Sequence, residues 1–122
     1  MRLFLIRGLP GSGKSTIASS FAGFHHFEAD MFFMQDGSYK YDTSKIKQAH
    51  EWCQQAVRNA LHIGGDVVVS NTFTRWAEIK PYLDMALEFG IEPNIIVAQG
   101  NFGNVHGVPY DVIQKMRDRW ED

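Results

Sequence analysis

Leu3-Phe4-Leu5-Ile6-Arg7-Gly8-Leu9-Pro10-Gly11-Ser12-Gly13-Lys14-Ser15-Thr16 is the stretch that decides the fold. It opens with an unbroken apolar run, Leu3 to Ile6, that lacks the alternation of a half-exposed strand and so predicts a strand buried on both faces of a parallel sheet. Gly8, Gly11 and Gly13 then break the chain. From Lys14 to about Phe21 the residues Ile17, Ala18 and Phe21 fall at helical spacing, and Gly23 stands where a helix stop is expected. The order is strand, glycine-rich turn, helix.

Gly8 to Ser15 satisfies G-x-x-x-x-G-K-[ST] in full, and Thr16 follows. A phosphate chain needs backbone approach without Cβ obstruction, inward N-H donors, a cation, and a hydroxyl for a metal ion. The glycines meet the first need, Lys14 should reach the β- and γ-phosphates, and Ser15 should ligate Mg²⁺. The following helix adds free N-H groups. The expected site for a nucleoside triphosphate, read as ATP, is therefore Gly8, Leu9, Pro10, Gly11, Ser12, Gly13, Lys14, Ser15 and Thr16. The competing reading, a glycine-rich turn in an arbitrary α/β protein, does not account for a strand before and a helix after the pattern.

Working outward, His26 to Ala29 predicts a short second strand ending at Asp30, and the aromatic-rich stretch Met31 to Tyr41 predicts a structured loop around Asp36-Gly37. Asp42 or Thr43 can cap a long helix to about Ile63, with Ile46, Ala49, Cys53, Val57, Ala60 and Leu61 on one face. Gly64-Gly65 stops it, and Val67-Val68-Val69 is a central strand ending at Ser70-Asn71-Thr72. The next helix runs through Tyr82, Leu83, Ala86 and Leu87 to Gly90, with Pro81 expected near its first turn because proline breaks helix interiors. Ile95 to Ala98 predicts a fourth strand, and Pro109 opens a closing helix striped by Val112, Ile113, Met116 and Trp120. Strands alternating with helices predict an α/β fold: a P-loop NTPase-like three-layer sandwich on a short, mostly parallel sheet of about four strands. Residues 1–122 read as a single nucleotide-binding domain. The segments after each strand, including Asp30, Ser70 to Thr72 and Gly100 to His106, should converge on one sheet edge.

Composition narrows the function classes. A hydrophobic fraction of 44% and a charged fraction of 21% are ordinary globular values and disfavour disorder and coiled coil. The net charge of -2 offers no global field for a polyanion. Cys53 is the only cysteine, which rules out an intramolecular disulfide framework and points to a reducing compartment, the cytoplasm. No apolar run has the length of a membrane span, so no membrane role is expected.

Beyond the phosphate loop, several segments resemble the polynucleotide-kinase-like group of P-loop kinases, the AAA-type ATP-binding domains. They are Arg7 to Thr16, Ala29-Asp30-Met31-Phe32-Phe33, Asp36-Gly37 through Tyr41-Asp42, Ala49 to Cys53, Asn71-Thr72, Lys80-Pro81-Tyr82 and His106-Gly107-Val108-Pro109. The resemblance implies an ATP-dependent kinase with Mg²⁺ as cofactor, and Asp30 in the place of the aspartate that takes the proton from the acceptor hydroxyl. Turn or helix capping is the alternative role for this aspartate.

Three positions depart from the group's pattern. Phe33 replaces an arginine that would contact a substrate phosphate. The acid-Thr-Asn element reads Ser70-Asn71-Thr72-Phe73, with neutral Asn71 where a carboxylate would support the magnesium shell. The lid arginine is missing from Gly100 to Val105; such arginines contribute on the order of 10³ to 10⁵ in rate. Arg75 could replace part of that charge, with His106 as a second candidate, while a solvated surface arginine is the plainer reading of Arg75.

Other features yield to structural explanations. His25, His26 and Glu28 lack further ligands at a metal-site spacing, and His50 with Cys53 shares an apolar helix face. Phe32, Phe33 and Tyr39 form either a stacking platform for a base or a small core beneath their loop. Lys115, Arg117 and Arg119 alternate with acids as on an exposed helix face.

Two functions are therefore expected. The first is a phosphotransferase that moves the γ-phosphate of ATP to a hydroxyl of a nucleic acid, nucleotide or small molecule, with Asp30, Lys14 and Arg75 as catalytic residues. The second is a catalytically weak or inactive ATP-binding regulatory module. The acceptor and the oligomeric state stay open.

Overall fold

The computed structural model describes residues 1–35, 37–100 and 108–122. Four strands, β1 (Leu3–Arg7), β2 (His25–Phe27), β5 (Val67–Asn71) and β6 (Pro93–Val97), form one sheet in the order β2-β5-β1-β6, and every pairing in it is parallel. Between β2 and β5 a two-stranded antiparallel ribbon, β3 (Met34–Gln35) and β4 (Ser38–Tyr39), stands apart.

Pleating divides the central strands between two cores. Leu3, Leu5, Val67 and Val69 are fully buried on one face, beneath α2 (Ile46–His62) and α3 (Trp76–Phe89). That core is filled by Cys53, Val57 and Leu61 from α2 and by Ile79, Tyr82 and Ala86 from α3. Ile6 and Val68 face the other way, onto Ala18 of α1 (Lys14–Ser19). There the rings of Phe4, Phe21 and Phe24 meet at centroid distances of 4.9, 5.8 and 5.2 Å. Helices on both faces of a parallel sheet are the expected three-layer P-loop NTPase-like arrangement. The last helix, α4 (Tyr110–Asp118), is capped at Pro109 and has no fully buried residue.

Local differences from the sequence reading have identifiable causes. Strand β2 ends at Phe27, and Ala29–Phe33 forms a 3₁₀ turn, so Asp30 lies in the turn rather than at the strand end. The Asp42 carboxylate accepts from the Ser44 N-H and Oγ, capping a 3₁₀ turn over Thr43–Lys45 that runs into α2. Pro81 is not in the first turn of its helix, because α3 already begins at Trp76. Glu78 fixes that start by accepting from the Arg75 N-H at 3.0 Å and from Thr74 Oγ1 at 2.8 Å. The bond Pro81 cannot donate would go to the carbonyl of Ala77, an exposed residue that water can serve.

Candidate functional site

The glycine-rich turn is held at both ends by the sheet. The Gly8 N-H donates to the Thr72 carbonyl at 3.3 Å beyond β5, and the Ala98 N-H donates to the Arg7 carbonyl at 2.8 Å beyond β6. Within the turn, the Ser12 N-H bonds the Leu9 carbonyl at 3.0 Å, and the Gly100 N-H bonds the Ser12 carbonyl at 2.9 Å. Glycine at position 8 permits close packing, since a Cβ there would displace Ser12 Oγ and lie a tight 3.1 Å from the Ala98 Cβ and carbonyl oxygen. Gly13 enters α1 at φ 88°, in the left-handed region that glycine tolerates. Ser12 Oγ is buried and has no hydrogen-bond partner among the described residues, the state of a donor at a site built for an external acceptor.

Lys14 follows at the start of α1. Burial pushes its ammonium below the usual lysine range, while Glu28 and Asp30 pull it back up. Both carboxylates therefore act on the cation at the mouth of the turn. An arriving polyphosphate would relieve its desolvation in the same way.

Ser15 is the next link. Its Oγ donates to Glu28 Oε2 at 2.6 Å, and Ser70 Oγ donates to the same oxygen. His26 Nε2 lies 3.0 Å from Ser70 Oγ and 3.6 Å from Glu28 Oε2. Burial opposes ionisation of Glu28, but the nearby His26 and the hydrogen bonds from Ser15 and Ser70 outweigh it and bring the carboxyl down to about 2. Sequence reasoning missed Glu28 because it stood beside two histidines as a poor metal motif. Its link to Ser15 spans 13 positions and exists only because β2 and α1 meet in space.

The role expected of Asn71 needs correction. β5 pairs with β1 in the register Ile6↔Ser70 and Arg7↔Asn71, so the two side chains face opposite sides of the sheet. Ser70 faces Ser15. Asn71 turns away: its Oδ1 accepts from the Ala29 N-H at 2.9 Å, and its amide nitrogen lies 3.9 Å from Cys53 Sγ. Asn71 therefore ties the 3₁₀ turn carrying Asp30 to β5, and the residue of this element on the Ser15 side of the sheet is Ser70.

Asp30 does not cap its turn. Its Oδ1 accepts from Tyr39 Oη at 2.5 Å, and partial desolvation of the phenol, followed by this bond, raises the tyrosine above its usual range. Phe33 is buried and packs on Phe32, Tyr39 and Tyr41, whereas the Tyr39 and Tyr41 rings are half exposed and nearly parallel at 6.4 Å and 11°. The aromatic group is thus a small core with an exposed outer layer beside Asp30. Arg75 is not joined to the others: it is exposed at the start of α3, and its guanidinium makes no hydrogen bond or ion pair among the described residues. His106 and the lid segment 101–107 lie outside the described residues. Burial raises the Cys53 thiol and lowers the His50 imidazole, as suits packing residues.

Arg7, one residue before the turn, was also missed. It is 2% exposed, donates to the carbonyls of Phe73, Thr74 and Glu121, and stacks between Trp120 at 4.1 Å and Trp76 at 5.1 Å. It thereby clasps the C-terminal residues to the loop after β5.

Residues 3–99 match the model of the AAA domain family. The chain belongs to that family. The match runs from the first residue of β1 past the end of β6, so α4 lies beyond it. The domain is 30% identical to an uncharacterized protein, PM0531, of Pasteurella multocida (strain Pm70), covering 93% of this chain and 73% of that protein. It is 26% identical to NEDD4-binding protein 2 of Homo sapiens, covering 98% of this chain but only 8% of the human protein. Among solved structures, a chain of the Pnkp1/Rnl/Hen1 RNA repair complex superposes with a TM-score of 0.65 at 20% identity, over 97% of this chain and 37% of that one. A gluconokinase from Sinorhizobium meliloti 1021 superposes with a TM-score of 0.67 at 17% identity, over 99% and 75%. The AAA domain here is a P-loop nucleotide-binding domain. Among its described residues no helix is long and apolar enough to cross a membrane.

Proposed function

We propose that this chain is an ATP-dependent phosphotransferase acting on an alcohol, with the nucleotide phosphates held by Gly8 to Thr16 and Asp30 as the base. The observation that supports the reading is the complete phosphate-binding turn with Lys14, whose ammonium is pushed down by burial and pulled up by Glu28 and Asp30, as suits a phosphate donor and a proton acceptor at one site. Asp30 takes the proton of the acceptor hydroxyl as its oxygen bonds the γ-phosphorus. The bond to the β,γ-bridging oxygen breaks, and ADP leaves. Lys14 and the loop amides stabilise the charge on the phosphoryl oxygens.

The donor set suits Mg²⁺. Ser15 offers one hard oxygen, and the described residues hold no group of three or more His, Cys, Asp or Glu side chains that could cage a metal. A cation that keeps waters and shares phosphate oxygens needs little more. When bound, it would neutralise charge on the nucleotide phosphates, with Ser15 as the residue that would hold it. The neighbours described as an RNA repair complex and a gluconokinase make nucleic acids and small hydroxyl compounds acceptors to test beside nucleotides.

Incubation with γ-labelled ATP and a panel of 5'-hydroxyl oligonucleotides, nucleosides and sugars should give a labelled acceptor, and Asp30→Ala should abolish the transfer while ATP still binds. No labelled acceptor anywhere in the panel, with ATP bound, would favour an ATP-binding regulatory module instead. One observation supports that second reading: Arg75 is exposed, and its guanidinium has no hydrogen bond or ion pair among the described residues that would hold it toward the turn.

A further inference from the structure

The geometry points to Glu28 as the carboxylate that serves the magnesium site from β2, in place of the neutral Ser70 at the end of β5. This rests on the nucleotide-site reading above and names a positioning residue within it.

A serine hydroxyl that ligates a cation does so through a lone pair, so its proton must go to an acceptor on the far side. Glu28 Oε2, 2.6 Å from Ser15 Oγ, is that acceptor. Among the described residues it is the carboxylate bonded to Ser15, and its side chain is 18% exposed, sheltered yet open to solvent. Three bonds fix its direction. Ser15 and Ser70 both donate to Oε2, and His26 buttresses Ser70. Oε1 has no hydrogen bond among the described residues and is free for a water of a magnesium shell.

The strand register explains why the carboxylate comes from β2. On β5 the residue directed to Ser15 is Ser70, and a hydroxyl there has no charge to offer a dication. β2 is the other neighbour of β5, and Glu28 lies one residue beyond its last pair, Phe27↔Val69. Two adjacent strand ends therefore carry one carboxylate and one hydroxyl, in contact. Exchanging the two across the β2-β5 seam would deliver the same charge to Ser15 from the neighbouring strand.

That symmetry defines the test. ATP affinity is measured by calorimetry in EDTA and in excess Mg²⁺, and the ratio of the two dissociation constants is compared among wild type, Glu28→Gln, Glu28→Asp and the double exchange Glu28→Ser with Ser70→Asp. Glu28→Gln keeps shape and should lose tenfold or more of the magnesium enhancement while ATP affinity in EDTA changes less than threefold. Glu28→Asp should retain part of the enhancement, and the double exchange should recover most of it. A residue that merely tied β2 to α1 would lower the melting temperature and leave the ratio intact. A wild-type ratio in folded Glu28→Gln, or no recovery in a folded double exchange, overturns the inference. Absence of Lys14-dependent ATP binding in the wild type would instead sink the nucleotide-site reading itself.

Discussion

Arg7→Met should be among the costliest single substitutions in this chain. The guanidinium is 2% exposed and donates from Nε to the Phe73 carbonyl at 3.0 Å and from Nη2 to the carbonyls of Thr74, at 3.4 Å, and Glu121. Phe73 has the one positive φ, 46°, of a non-glycine among the described residues, a conformation that persists only when its surroundings hold it. Methionine fills much of the volume but leaves these carbonyls without their donor and removes the cation from between Trp76 and Trp120. Hydrogen bonds to a charged donor contribute about 1.5–3 kcal/mol and a cation-π contact about 0.5–2 kcal/mol, while returning the guanidinium to water in the unfolded chain offsets part of the sum. The net loss should be about 2–4 kcal/mol, or roughly 8–16 °C in Tm for a domain of this length. Urea titration followed by circular dichroism gives the free energy, and the native tryptophan emission should shift to the red because two of the three tryptophans flank the lost cation. Arg7→Lys, which keeps the charge without the planar fork, should fall between the two. A loss under about 0.5 kcal/mol in Arg7→Met, the ordinary scatter of surface changes, would refute the clasp.

Lys14→Ala should remove the ATP-induced rise in melting temperature, an effect of about 2.7 kcal/mol when ATP is at a hundred times its dissociation constant; an undiminished rise would show that the phosphates bind elsewhere. Asp30→Ala should lower phosphoryl transfer by about 10²-fold or more with ATP affinity within threefold, whereas Tyr39→Phe keeps the carboxylate and should cost far less; equal losses in the two would mean that the phenol does the chemistry. For Glu28 the sign follows from its depressed folded value: a carboxyl at about 2 in the fold and near 4.5 in the unfolded chain stabilises the protein above pH 4.5, and the stabilisation fades as pH falls toward 2. In EDTA the stability gap between wild type and Glu28→Gln should therefore be on the order of 2–3 kcal/mol at pH 6 and shrink through that window, and a gap independent of pH would rule the linkage out.

The sequence alone determined the layered fold and the phosphate loop. Leu3 to Ile6 and Val67 to Val69 lack alternation because strands of a parallel sheet are covered on both faces, and Gly8 to Ser15 are contiguous because a backbone cradle must be built from consecutive amides. Periodicity placed α2 and α4, but it misplaced Pro81, whose helix starts where Glu78 caps it. Only the tertiary structure decided which carboxylate meets Ser15, which of Ser70 and Asn71 faces the site, and what holds Arg7. Those answers depend on strand register and on contacts between residues 13, 42 and 114 positions apart, and a register shift of one residue would turn each side chain to the opposite face without altering any local pattern.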